Sequence, residues 1–186
     1  MKCFDFDVEV CLGYHCSGCG EYVTCGGSAL FEDEDVDRLV SLIRENGGET
    51  DIEKLGLQEK YPSIYEDLED AYQDAVSIGT YRYWLVNGFE CGYYDEPEGL
   101  MASLEEAGLF HYDPDPADLE GLDEDDLEEE KEDAFHEWLD SYFESLDEDD
   151  KVSFLEKYFA DAANDICPGD YNYEIEIPQG IIDLVR

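Results

Sequence analysis

Seven cysteines are the first residues of this chain whose type and spacing could do chemistry, and five of them fall within the first 25 positions. Four form the pattern Cys11-x4-Cys16-x2-Cys19-x5-Cys25. Cys16-Ser17-Gly18-Cys19-Gly20 has the shape of a zinc knuckle, a tight turn whose glycines let two thiolates face one ion. Tetrahedral zinc needs four ligands, so Cys16 and Cys19 are the primary pair and Cys11 and Cys25 complete the set most economically. In a regular hairpin, however, Cys11 lies five residues, ~16 Å of extended chain, from Cys16. The loop must therefore curl, or Cys3, Cys91, Cys167 or His15 supplies a ligand instead. C-x4-C-x2-C is also the spacing of a plant-type [2Fe–2S] loop, whose fourth thiolate would come from Cys25, Cys91 or Cys167. A set of reduced structural cysteines is the third possibility. The odd number of cysteines favours metal chemistry over a disulfide framework. Met1–Asp5 holds no apolar signal-peptide core, and a cytoplasmic protein is expected.

The second constellation is acidic. Asp123 to Asp133 reads D-E-D-D-L-E-E-E-K-E-D, nine carboxylates in eleven residues. Asp123, Asp125, Asp126, Glu128, Glu129, Glu130 and Asp133, with Glu66 and Asp70 from a second acidic run, are the candidate partner-binding residues. The formal net charge is −42. A compact chain of this length has a diameter of about 40–45 Å, and duplex DNA of that length carries about 25 phosphate charges. Such charge opposes compaction by self-repulsion, so something beyond solubility is expected to maintain it. It argues against direct binding of nucleic acid or an anionic membrane and favours a basic partner, of which nucleic-acid-binding clefts are the commonest large examples. Halophilic adaptation would also enrich carboxylates, but it does not require the high cysteine and tyrosine content. No apolar run reaches the ~18 residues of a membrane span.

Catalytic signatures are absent: the chain has no serine elbow, phosphate loop or dinucleotide fingerprint. Asp113-Pro114-Asp115-Pro116 has alternating aspartates like a calcium loop but lacks the glycine at position six and the closing glutamate. Glu132, Asp133 and His136 could share a helix face, yet a di-iron bundle needs two carboxylate-x-x-His motifs and only three histidines exist. A non-enzymatic protein is expected.

These residues need elements to hold them. Phe4, Phe6, Val8 and Val10 alternate with Asp5, Asp7 and Glu9, a half-buried strand with an acidic outer face. Tyr22 to Cys25 returns as its hairpin partner. Asp33 to Arg44 has Val36, Leu39, Val40 and Ile43 at helical spacing and ends at Asn46-Gly47-Gly48. Thr50-Asp51-Ile52-Glu53 reads as a capping box for a short turn ending near Gly56. Pro62 opens a long helix carrying Ile64, Leu68, Ala71, Tyr72, Ala75 and Val76 and continuing towards Gly88. Pro97 opens a short one with Leu100, Met101 and Leu104. The acidic run then feeds into Phe135, Trp138, Leu139, Tyr142, Phe143 and Leu146, the apolar stripe of an amphipathic helix from about Glu124 to Leu146. After a turn at Asp147 to Asp150, a facing helix carries Val152, Leu155, Phe159 and Ala163. Tyr171, Tyr173, Ile175 and Ile177 alternate with polar residues, which predicts a second terminal strand in the same sheet.

The expected fold is α+β: a small antiparallel sheet with a zinc-knuckle hairpin, packed against several amphipathic helices. Residues 1–30 form a metal-binding hairpin module of the same domain, and 31–186 an acidic helical body with a C-terminal strand. In its acidic helical faces (66–74, 123–133, 147–150) and its Cys11/Cys16/Cys19/Cys25 set, the chain resembles phage and mobile-element inhibitors, namely antirestriction DNA mimics and anti-CRISPR proteins. The type II-A anti-CRISPRs, which block an RNA-guided DNA nuclease, are the nearest in character. The resemblance implies occupation of basic surfaces on a type II CRISPR effector nuclease that normally hold guide or target DNA. An acidic adaptor or chaperone of a basic protein and an iron–sulfur redox protein are the alternatives.

Overall fold

A computed structural model describes residues 1–14, 20–115, 121–167 and 169–185. The fold is α+β, with helices accompanying one two-stranded antiparallel sheet. The chain divides into two units: Met1–Trp84 with Cys167–Arg186, and Leu85–Ile166. The sequence offered no marker for this division, because its first boundary falls inside a continuous helix and no composition break accompanies it.

The first unit begins with the hairpin of β1 (Lys2–Tyr14) and β2 (Gly20–Phe31). Phe6, Val8 and Val10 alternate inward, while Asp5, Asp7 and Glu9 are exposed, as a period-two pattern requires. The register pairs Phe6 with Gly27, Val8 with Cys25 and Cys11 with Tyr22, with an irregularity between Cys11 and Gly13. β2 runs well past the expected Tyr22–Cys25. Gly26 and Gly27 lie inside the ladder, opposite Asp7 and Phe6.

Helix α1 (Asp33–Glu45) buries Val36, Leu39, Val40, Leu42 and Ile43. Asp33, Glu34 and Asp35 lie at its positive end and Arg44 at its negative end, which the helix dipole favours. Gly47 and Gly48 stop it at φ 71° and 90°, where other residues would be strained, and Gly48 N–H donates to Ile43 C=O at 2.9 Å. Short helices α2 (Ile52–Leu55) and α3 (Leu57–Lys60) follow. The cap of α2 is Asp51, whose Oδ1 accepts from Lys54 N–H at 3.1 Å, one residue beyond the expected Thr50. Helix α4 (Pro62–Glu90) places Ile64, Leu68, Tyr72, Ala75 and Val76 in the core.

The expected C-terminal strand is a correction. Residues 169–178 have no strand structure, although their burial still alternates. Side chains pin this arm instead. Tyr72 Oη donates to Glu176 C=O at 3.1 Å, Trp84 Nε1 donates to Tyr171 Oη at 2.8 Å, and Tyr173 stacks 6.5 Å from Tyr72. Ile177 is buried, and α9 (Gln179–Asp183) buries Ile181 and packs beside β1, with Gly180 against Phe4. Arg44 Nη2 donates to the Leu184 carbonyl at 3.0 Å.

The second unit contains the end of α4, then α5 (Leu100–Glu106), α6 (Glu124–Ser145), α7 (Glu148–Tyr158) and α8 (Ala160–Asp165). Its core is aromatic. Phe89 and Phe143 lie 4.2 Å apart, Phe110 and Phe135 5.1 Å, and Phe89 and Phe159 5.1 Å. Phe154 of α7, outside the stripe expected there, meets Tyr142 and Phe143 of α6 at 5.7 and 6.1 Å, and the expected single partner helix is divided at Phe159 into α7 and α8.

Candidate partner-binding surface

The acidic run folds as the first half of α6. Asp123 caps it: its Oδ1 accepts from the backbone N–H of Asp125 and of Asp126, both at 3.1 Å. Glu124, Asp125 and Asp126 then occupy the first turn, where the dipole favours negative charge. Asp147 repeats the device for α7, accepting from Asp150 N–H at 2.9 Å ahead of Glu148, Asp149 and Asp150. Helix starts thus absorb the densest charge where it costs least.

The middle of the run has no such help. Asp125, Asp126, Glu128, Glu129, Glu130 and Asp133 are all exposed. Neighbours three and four apart on a helix sit about 5–6 Å from each other, and each like-charged pair costs roughly 0.2–0.5 kcal/mol. The second half of the helix compensates. Phe135, Leu139 and Phe143 are buried, Trp138 and Tyr142 are half-buried and stack on one another at 4.9 Å, and the exposed half is carried on that anchor.

Cations do not interrupt this surface. Segment 85–166 holds 29 carboxylates against three lysines and no arginine. Lys131 Nζ bonds Glu105 at 2.8 Å; Lys151 Nζ bonds Glu90 at 2.8 Å and lies 5.0 Å from the Phe143 ring; Lys157 Nζ lies 4.7 Å from the Tyr158 ring. All three are engaged within the unit. The sequence carried a signal for one of them, since Lys131 falls four residues before Phe135 and four after Leu127, on the inward stripe. His136 bonds Glu96 at 2.9 Å, not the carboxylates one turn before it.

Glu66 and Asp70 are also exposed, one turn apart on α4, and belong to the first unit. Beside them Asp67 is held above the usual carboxylate range by desolvation, with like charge from Asp35 and Asp70 adding to it.

The proposed metal ligands do not all come together. Cys16 and Cys19 lie outside the described residues. Cys11 is on the outer face of the hairpin, its Sγ 3.7 Å from the Gly13 carbonyl. Cys25 pairs with Val8, three rungs from the Cys11–Tyr22 pair and on the opposite, core-facing side of the ribbon. It is 1% exposed against Gly79 of α4, and burial pushes its thiol up, which disfavours the thiolate a metal requires. Cys11 and Cys25 therefore cannot converge on one ion without breaking the register. Cys3, Cys91 and Cys167 are exposed. Among the described residues, no group of three or more His, Cys, Asp or Glu side chains is arranged to hold a metal.

Compared with protein-family models, with curated proteins and with solved structures, the chain matches none. Among the described residues no helix is long and apolar enough to cross a membrane.

Proposed function

We propose that this protein is a non-catalytic inhibitor of a nucleic-acid-processing enzyme, in the manner of an anti-CRISPR protein that occupies the DNA-binding surface of a type II CRISPR nuclease. One observation carries the proposal. The nine-in-eleven carboxylate run is not a disordered tail but the solvent face of a capped helix whose other end is fixed in an aromatic core. Ordered charge with no exposed cation among it is what a basic cleft, shaped to a phosphate backbone, recognises. A solubilising tail has no need of either the caps or the anchor.

Zinc has a structural place in this reading. It would be held by Cys16 and Cys19, with Cys11 and a fourth ligand other than Cys25. It would pin the N-terminal module.

The test is DNA cleavage by a type II CRISPR nuclease with increasing protein, run beside a restriction enzyme. Inhibition of the first alone supports the anti-CRISPR reading, and inhibition of the second alone an antirestriction mimic. If neither is inhibited at low salt and large molar excess, the DNA-mimic reading is abandoned for that of an acidic adaptor.

A further inference from the structure

The hairpin has a second face and two edges, and none of them enters the argument about α6. On the outer face Cys3, Asp5, Asp7 and Glu9 of β1 and Thr24, Gly26, Ser28 and Leu30 of β2 are all exposed. Asp5 pairs with Ser28, Asp7 with Gly26 and Glu9 with Thr24. Three carboxylates thus form a column at the ~6.6–6.8 Å repeat of a strand, and each lies beside a small residue. None of the three has an ion pair among the described residues.

The edges are open as well. The sheet ends at two strands, and among the described residues no main-chain hydrogen bond joins residues 23–31 of β2 to any segment but β1. α4 packs against β2 on the core side, at Cys25 and Gly27, and α9 packs against β1 at Phe4; among the described residues neither edge is paired by main chain. Alternate residues of an edge strand direct their N–H and C=O groups outward, where another strand can pair with them. The C-terminal arm, whose alternation would have suited it to that place, is instead held by Tyr72 and Trp84 and forms no ladder.

We propose that the β2 edge from Thr24 to Leu30 is a strand-addition site for an extended segment of a partner protein carrying lysine or arginine at every second position. Backbone pairing would supply the common part of the affinity and the alternating side chains the selectivity. Side chains of the added strand on the outer face lie next to Thr24, Gly26 and Ser28, and two strand spacings, about 9.5 Å, from the carboxylate column. Because the intervening residues are small, long basic stems can lie across them and reach Asp5, Asp7 and Glu9. Leu30, 57% exposed, gives an apolar contact at one end. A second copy of this chain is the wrong occupant, since it carries the same formal charge of −42 and has no segment with lysine or arginine at every second position.

The site is separate from α6, and so is its test. The probe is a capped seven-residue peptide of alternating lysine and valine, matching Thr24–Leu30, titrated into the full chain and followed by backbone amide NMR and calorimetry. Expected results are shifts concentrated in residues 23–31, slower amide exchange along β2, and affinity that falls at least roughly tenfold when the pairing amides of the peptide are N-methylated. An Asp5→Asn/Asp7→Asn/Glu9→Gln variant, checked for unchanged circular dichroism, should bind more weakly by a similar factor. A glutamate–valine peptide should not bind. Absence of binding, binding indifferent to N-methylation, shifts centred on α6, or a β2-mediated dimer of the protein alone in sedimentation would each overturn the proposal. None of these outcomes bears on nuclease inhibition through α6.

Discussion

Replacing Gly79 by alanine gives the sharpest test of how the first unit is packed. In the interior of a helix, Gly→Ala ordinarily stabilises by about 1 kcal/mol, because alanine has the better propensity. Gly79 should show the opposite sign. A Cβ placed there falls 2.4 Å from Cys25 Sγ, 2.8 Å from its Cβ and 3.3 Å from its Cα, where carbon contacts are normally ~3.5–4.0 Å. The Sγ could turn away, but the Cα is backbone and belongs to the ladder with Val8. One turn earlier the fit is equally close: Gly27 has no room for a Cβ because Ala75 and Phe6 lie 2.6 Å from it, and Phe6 stacks on Tyr72 at 4.0 Å. Moving α4 away to admit the methyl would loosen all of these. Overpacking of this kind costs typically 1–3 kcal/mol. With both backbones involved, the upper part of that range applies, and the net loss after the propensity gain is about 1–2 kcal/mol. Gly88 on the same helix, but in the second unit, is the contrast, followed through Trp138 in a Trp84→Phe background. The atoms nearest its Cβ would be those of the Tyr94 ring, and a ring on a rotatable bond can move, so Gly88→Ala should stay within about 1 kcal/mol of neutral. The chain has two tryptophans, Trp84 in the first unit and Trp138 in the second. In a Trp138→Phe background, urea unfolding followed by fluorescence therefore reports on the first unit alone. A Cys25→Ala partner should reduce the cost of Gly79→Ala by removing the closest atom, a coupling that a double-mutant cycle measures. Stabilisation by Gly79→Ala would mean that helix and sheet are not in contact there.

Four further outcomes follow from the same physical reasoning. Phe135→Ala should destabilise the second unit by roughly 3–5 kcal/mol, as for other buried aromatics, whereas the half-buried Trp138 should lose less on truncation; urea midpoints monitored by circular dichroism would reveal the reverse order if the stripe is turned. Asp67→Asn should stabilise at neutral pH. Its raised folded pKa means protonation favours the fold, so the advantage is largest above the folded pKa and vanishes below the unfolded value near ~3.9, a pH dependence visible in paired melting curves. Cys25→Ala should leave any bound zinc in place, while Cys16→Ser removes it, as elemental analysis would show. The same Cys25 variant should lose part of the alkaline fall in stability. The raised folded pKa of a buried thiol makes its contribution disappear as pH rises past the unfolded value of about 8.5.

Much of this fold was legible because patterns recorded burial directly. The inward alternation of Phe6, Val8 and Val10, the α1 stripe with its glycine stop and the aromatic stripe of α6 each depend only on local period, and each element lies where that period put it. The failures have a common origin in partners distant along the chain. Tyr171–Ile177 alternates like a strand because one side of it lies on a core, but a ladder also needs an open edge alongside, and side-chain bonds hold the arm without one. Cys25 looked like a ligand by spacing. Which face it takes is set by its pairing with Val8, and parity then puts it opposite Cys11. Gly27 and Gly79 resemble ordinary punctuation, and only the α4–β2 packing shows that both mark a close approach.

The central claim is that ordered carboxylates on α6 stand in for phosphates, and one comparison tests it most directly. Inhibition of DNA binding by a type II CRISPR nuclease would be measured for the native chain and for a Glu128→Gln/Glu129→Gln/Glu130→Gln/Asp133→Asn variant, from 50 to 200 mM salt. These four side chains are exposed and make no cap, so the variant should remain folded and, with like charge removed, be at least as stable. The account predicts a native affinity that falls steeply over this range, where nucleic-acid complexes commonly lose ~10³-fold or more. It also predicts a variant that inhibits weakly at low salt with a shallower salt dependence. A folded variant that inhibits as well as the native chain, with the same salt dependence, would contradict it.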